Sequence, residues 1–88
     1  MLSLPAELTH AQANACLATL VKGASAAIGV VEVNAAALQR FDSSALAVLL
    51  EFQRECTRGG KTLRVLAMPE RLRSLAVLYG IEGLLQSA

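Results

Sequence analysis

The apolar positions of this chain change period several times along its length. Leu2-Ser3-Leu4 alternates like a short strand, and Pro5, which has no backbone donor, places that strand at a sheet edge. Thr9-His10-Ala11-Gln12 has the form of a capping box and opens a helix. Ala13, Cys16, Leu17, Leu20 and Val21 then recur at helical spacing until Lys22-Gly23 ends it. Ile28-Gly29-Val30-Val31-Glu32-Val33 is a nearly continuous β-branched run, the pattern of a central strand covered on both faces in a parallel sheet.

After a connection over residues 34–41, Asp42-Ser43-Ser44 offers side-chain oxygens to the free amides of a second helix, predicted over residues 45–57. Ala45, Leu49, Phe52 and Cys56 form its inward stripe. Glu51, Arg54, Glu55 and Arg58 face solvent with Glu51–Arg54 and Glu55–Arg58 spaced for pairing, and Gly59-Gly60 stops the helix. Residues 61–68 read as a third strand with Leu63, Val65 and Ala67 on one face. Pro69 stands at the first position of a third helix with Leu72, Leu75, Ala76 and Tyr79 inward and Gly80 at its end. Residues 81–85 are apolar enough to add a helical turn docked on the sheet. The order β-α-β-α-β-α, with connections too long for hairpins, predicts an α/β fold: a small, mostly parallel β-sheet with crossover helices.

Composition narrows this further. Eighty-eight residues form one domain, 1–88, and with 55% hydrophobic but only 3% aromatic side chains its core is aliphatic. The formal charge of +1 and the scarcity of aromatic rings exclude a nucleic-acid surface as the leading reading. The most apolar stretches, 24–33 and 45–50, are too short and too interrupted to span a bilayer, which needs about 20 apolar residues. The start has neither a basic region nor a long apolar one, so the expected location is cytoplasmic. Cys16 and Cys56 stand in no metal or redox spacing and are expected to be two buried, reduced thiols without a metal or a disulfide.

Groups for catalysis are scarce. His10, the single histidine, falls in an exposed first helical turn, and neither a phosphate loop nor a dinucleotide fingerprint occurs, so no enzyme activity and no cofactor are expected. One constellation remains. Asp42, Ser43 and Ser44 open a helix on the C-terminal side of a parallel sheet, where α/β folds place their sites. Two readings fit them: an ordinary helix cap, or a hydroxyl presented to a partner or for phosphorylation beside free amides and the positive end of a helix dipole.

The run Phe41-Asp42-Ser43-Ser44-Ala45-Leu46-Ala47-Val48-Leu49-Leu50, with Gly59-Gly60-Lys61-Thr62-Leu63-Arg64-Val65 and Leu72-Arg73-Ser74-Leu75-Ala76-Val77-Leu78-Tyr79-Gly80-Ile81, resembles the STAS domain of sulfate transporters and anti-sigma factor antagonists. The compact start and the ending Leu75-Ala76-Val77-Leu78-Tyr79-Gly80-Ile81 are most similar to the small cytoplasmic subunit of the ABC transporter that maintains outer-membrane lipid asymmetry. The resemblance implies a non-catalytic subunit that binds a cytosolic ATPase and meets the membrane only through the complex. Asp42–Ser44 and the flank formed by Leu46, Ala47, Leu50, Glu51 and Arg54 would be the partner surface, with Ser43 as the hydroxyl that matters for the complex. The alternative it implies is an anti-sigma factor antagonist, switched by a partner kinase that phosphorylates Ser44. Ala45 stands where the antagonists carry glycine, which tightens access to Ser44. The chain starts at what would be the family's second strand, so an N-terminally trimmed version of the fold is expected.

Overall fold

The computed structural model describes residues 2–81. Its elements are β1 (Leu2–Ser3), β2 (Glu7–Leu8), α1 (His10–Ala24), β3 (Val30–Asn34), β4 (Arg40–Phe41), α2 (Ser44–Arg58), β5 (Thr62–Leu66) and α3 (Glu70–Leu78). The main sheet runs β1-β3-β5, all parallel, with Val33 opposite Leu2 on one side and Val65 on the other. The predicted α/β class is what the chain adopts, with β3 central and β1 at an edge. Strands β2 and β4 form a separate parallel pair, Glu7 opposite Arg40 and Leu8 opposite Phe41.

The central strand departs from expectation. Val31 and Val33 are buried, whereas Val30 is 48% exposed and Glu32 is half-buried, so β3 is covered on one face, not two. Glu32 decides this: it stands opposite Arg64 of β5, and the two pair at 3.6 Å on the face away from the core. A cross-strand charge pair keeps its partners hydrated at that face while the alternate valines pack inward. The covered face combines Val31, Val33, Leu63 and Val65 with Leu20 and Ala24 of α1, Leu72 and Ala76 of α3, and a broad inner side of α2.

The helices mostly begin and end where their signals stand. At α1, Gln12 Oε1 accepts from the Thr9 amide at 2.8 Å and from the Thr9 hydroxyl at 2.7 Å, which is the reach-back half of the capping box. The helix continues two residues beyond Lys22 to Ala24, and Lys61 Nζ donates to the Ala24 carbonyl at 2.6 Å, supplying a cation to that helix end from 37 residues away. Val21, predicted to face inward, is exposed. Gly60 and Gly80 take positive φ (76° and 70°) just after α2 and α3, which glycine does without steric cost.

Two other inward assignments fail. Ala67 lies beyond the end of β5 at φ 55°, so its side chain leaves the strand's alternation and is exposed. Tyr79 follows the last residue of α3 and is 54% exposed, because the chain leaves helical geometry before its side chain can join the Leu72–Ala76 stripe. The thiols of Cys16 and Cys56 are free; Cys56 is buried as expected, whereas Cys16 is only half-buried, and burial raises the pKa of both, with nearby Lys61 opposing that shift at Cys56 and Glu55 adding to it. Most of the segment expected to form a last helical turn, residues 82–85, lies outside the described residues.

Candidate functional site

The two-residue pair β2–β4 sets the geometry of the site. Leu8 and Phe41 are register partners, and one residue beyond them Thr9 and Asp42 lead into α1 and α2. The amides of Gln39 and Arg40 both donate to the Ala6 carbonyl (2.8 and 2.9 Å), fixing the two segments side by side. Two helix N-termini are thereby brought together. Such ends carry unpaired amides and a partial positive charge, so a carboxylate between them is favourably placed.

Asp42 supplies it. Its Oδ1 accepts from the Ser44 amide at 2.8 Å and its Oδ2 from the His10 amide at a longer 3.4 Å. The Ser44 amide lowers the pKa of Asp42 most; desolvation, the next largest influence, opposes it, and smaller contributions from the Ser44 side chain, the His10 amide and the charge of His10 lower it further. One residue earlier, the Arg71 guanidinium of α3 lies 5.2 Å from the centroid of the Phe41 ring, a cation–π contact. Residues 41 and 42 thus touch all three helices.

The two serines differ. Ser44 is half-buried, and its amide donates to Asp42. Ser43 is exposed, its backbone is already helical at φ −62° and ψ −16°, and its side chain makes no capping bond. The capping role expected of the whole triplet falls to Asp42.

Ser43 heads a row on the outside of α2. Ala47, Leu50, Glu51 and Arg54 follow at helical spacing; Ala47 and Arg54 are exposed, Leu50 and Glu51 half-buried. Arg54 pairs with Glu51 at 3.2 Å, and Arg58 with Glu55 at 2.7 Å, as their spacing predicted. Leu46 does not join this row. It is 2% exposed and lies in the core with Leu49, which corrects its assignment to a partner surface. The reason is that α2 packs against α1, β5 and α3 together, so its buried side takes in Leu46 and Val48 as well as the narrow stripe of Ala45, Leu49, Phe52 and Cys56.

Neither the His10–Asp42 bond nor the Arg71–Phe41 contact was visible in the sequence, because strands of two residues carry no period from which to infer their pairing. Among the described residues no group of three or more His, Cys, Asp or Glu side chains could hold a metal ion.

The fold and the site define a small parallel α/β module that displays a serine-headed helix face. The chain belongs to the STAS domain family: the family model described as "Mlab, STAS domain" matches residues 1–86. It is similar to the intermembrane phospholipid transport system binding protein MlaB of Haemophilus influenzae (strain ATCC 51907 / DSM 11121 / KW20 / Rd), with 42% identity over 52 residues. That match covers 59% of this chain and 50% of the relative, so the chain spans about half the length of the protein it matches.

Proposed function

We propose that this chain is a non-catalytic STAS subunit of an intermembrane phospholipid transport system, and that it binds and regulates or stabilises the cytosolic ATPase of that ABC transporter. The partner docks at Asp42–Ser44 and along the outer row of α2, Ala47, Leu50, Glu51 and Arg54. In this reading the chain works on the cytoplasmic side and meets the membrane only through the complex; no helix among the described residues is long and apolar enough to cross a membrane. The observation that carries the reading is the 42% identity to a relative that bears the name of such a system's binding protein. The surface suits a protein partner: a free hydroxyl, a half-buried leucine as an apolar anchor, and a charged rim of Glu51 and Arg54 that can exchange its pairing across an interface.

Co-purification tests it. The tagged chain, expressed in its own cells and recovered from detergent-solubilised membranes, should bring down a nucleotide-binding ABC subunit identifiable by mass spectrometry. Recovery of a sigma-regulatory kinase instead, with phosphate on Ser44, would establish the anti-sigma factor antagonist reading. The half-burial of Ser44, against the exposure of Ser43, favours the transporter reading.

A further inference from the structure

We propose that, within the docking segment just described, Asp42 is a positioning residue that does not itself touch the partner and leaves that contact to its neighbours, an assignment that narrows the reading just given and rests on it. Asp42 is exposed, but both oxygens of its carboxylate already accept hydrogen bonds within the chain, which fixes the direction of the side chain toward α1 and α2. Oδ1 takes the Ser44 amide and Oδ2 the His10 amide. What Asp42 controls is Ser43. A residue at the start of a helix normally has an extended backbone and uses its own side chain as the cap. Here the cap has moved back by one residue, so Ser43 is helical, its hydroxyl is released, and it stands exposed in register with Ala47, Leu50, Glu51 and Arg54.

The same carboxylate joins α2 to the start of α1, across 32 residues of sequence. Phe41, held under Arg71, joins the preceding residue to α3. Without the carboxylate the first turn of α2 loses its cap and its tie to α1 together, and Ser43 loses its fixed direction. Asn at position 42 separates these effects. Its oxygen can still accept from the Ser44 amide, but its NH2 group faces the His10 amide donor to donor, so the cap survives and the tie is lost.

The test has two parts. In the free chain, the His10 amide resonance of Asp42→Asn should shift and lose hydrogen-exchange protection, while that of Ser44 largely keeps it. For binding, titration of wild type, Asp42→Asn, Ser43→Ala and the double variant with the purified ATPase subunit of the phospholipid transporter forms a double-mutant cycle. Asp42→Asn should weaken binding about tenfold in the wild-type background and add nothing in the Ser43→Ala background, because Asp42 acts through Ser43. If Asp42→Asn fails to fold, Asp42→Ser, which can cap but cannot also reach His10, takes its place with the same expectations. Losses that multiply independently would show that Asp42 contacts the partner, and an unchanged His10 amide would show that the tie is absent; either overturns the proposal. A wild-type chain that does not bind the ATPase overturns the docking reading and this proposal with it, a result told apart from a multiplicative cycle, in which the wild type binds.

Discussion

Leu49 and Leu50 are neighbours in α2, rotated by about 100° around its axis, and the same substitution at the two positions should have very different effects. Leu49 is 0% exposed and belongs to the core; Leu50 is half-buried on the outer row. Leu49→Ala removes three carbons, and at about 0.8 kcal/mol for each buried methylene the transfer loss is about 2.4 kcal/mol. The cavity left beneath a helix held by α1, β5 and α3 cannot fully close, which raises the loss to about 3–4 kcal/mol. A domain of this size has a total stability on the order of 9 kcal/mol, so a third or more of it would go. Leu50→Ala, whose side chain is already partly hydrated, should cost about 1 kcal/mol or less. Urea denaturation followed by far-ultraviolet circular dichroism measures both, with the difference in midpoint and an unchanged slope reporting stability alone. Equal losses at the two positions, or a loss below about 1 kcal/mol at Leu49, would refute the assignment of inner and outer faces on which the proposed docking surface depends.

Three further outcomes are expected. Leu50→Arg should leave the circular-dichroism spectrum and melting temperature of the free chain nearly unchanged while abolishing capture of the ATPase, whereas Leu46→Arg should unfold the chain, since it buries a charge with no partner. Ala67→Gly should stabilise the fold by up to about 1 kcal/mol in urea, because the left-handed conformation at φ 55° strains alanine by more than the chain entropy glycine adds; a loss of stability would refute this. The depressed pKa of Asp42 means that its contribution is fully present above the ordinary carboxylate range and is lost as pH falls through the lower folded value. An acid titration of stability should therefore be flatter below about pH 4 in Asp42→Asn than in the wild type.

The sequence was most legible where a segment had both a period and a punctuation mark. The box at Thr9, the glycines at 60 and 80, and the Glu51–Arg54 and Glu55–Arg58 spacings all mark features found in the folded chain. It was least legible where tertiary contact decides. The run Val30-Val31-Glu32-Val33 reads as apolar on both sides, and only the register that sets Glu32 against Arg64 shows that one side is left to solvent. Leu46 looks like a surface leucine when α2 is given one narrow stripe; it is core because three elements pack against that helix. At the site, Asp42-Ser43-Ser44 was recognisable as the start of a helix, but which of the three residues caps it was not. That depends on the backbone of Ser43 and on the His10 amide, and neither leaves a mark on local sequence.

The separation of roles on α2 follows from how little core so small a domain has. Ala45, Leu46, Val48, Leu49, Phe52 and Cys56 all face inward, so substitutions there act on folding first. The row from Ser43 to Arg54 contributes little to that core, and its Glu51–Arg54 ion pair is exposed, worth less than about 1 kcal/mol. A partner surface built on this row can change its hydroxyl, its anchor or its charges without endangering the fold. Asp42 is the exception: it is the one member of the candidate site that both caps α2 and ties it to α1, so removing its carboxylate acts on the fold and on the surface, and only a substitution such as Asn, which keeps the cap, separates the two.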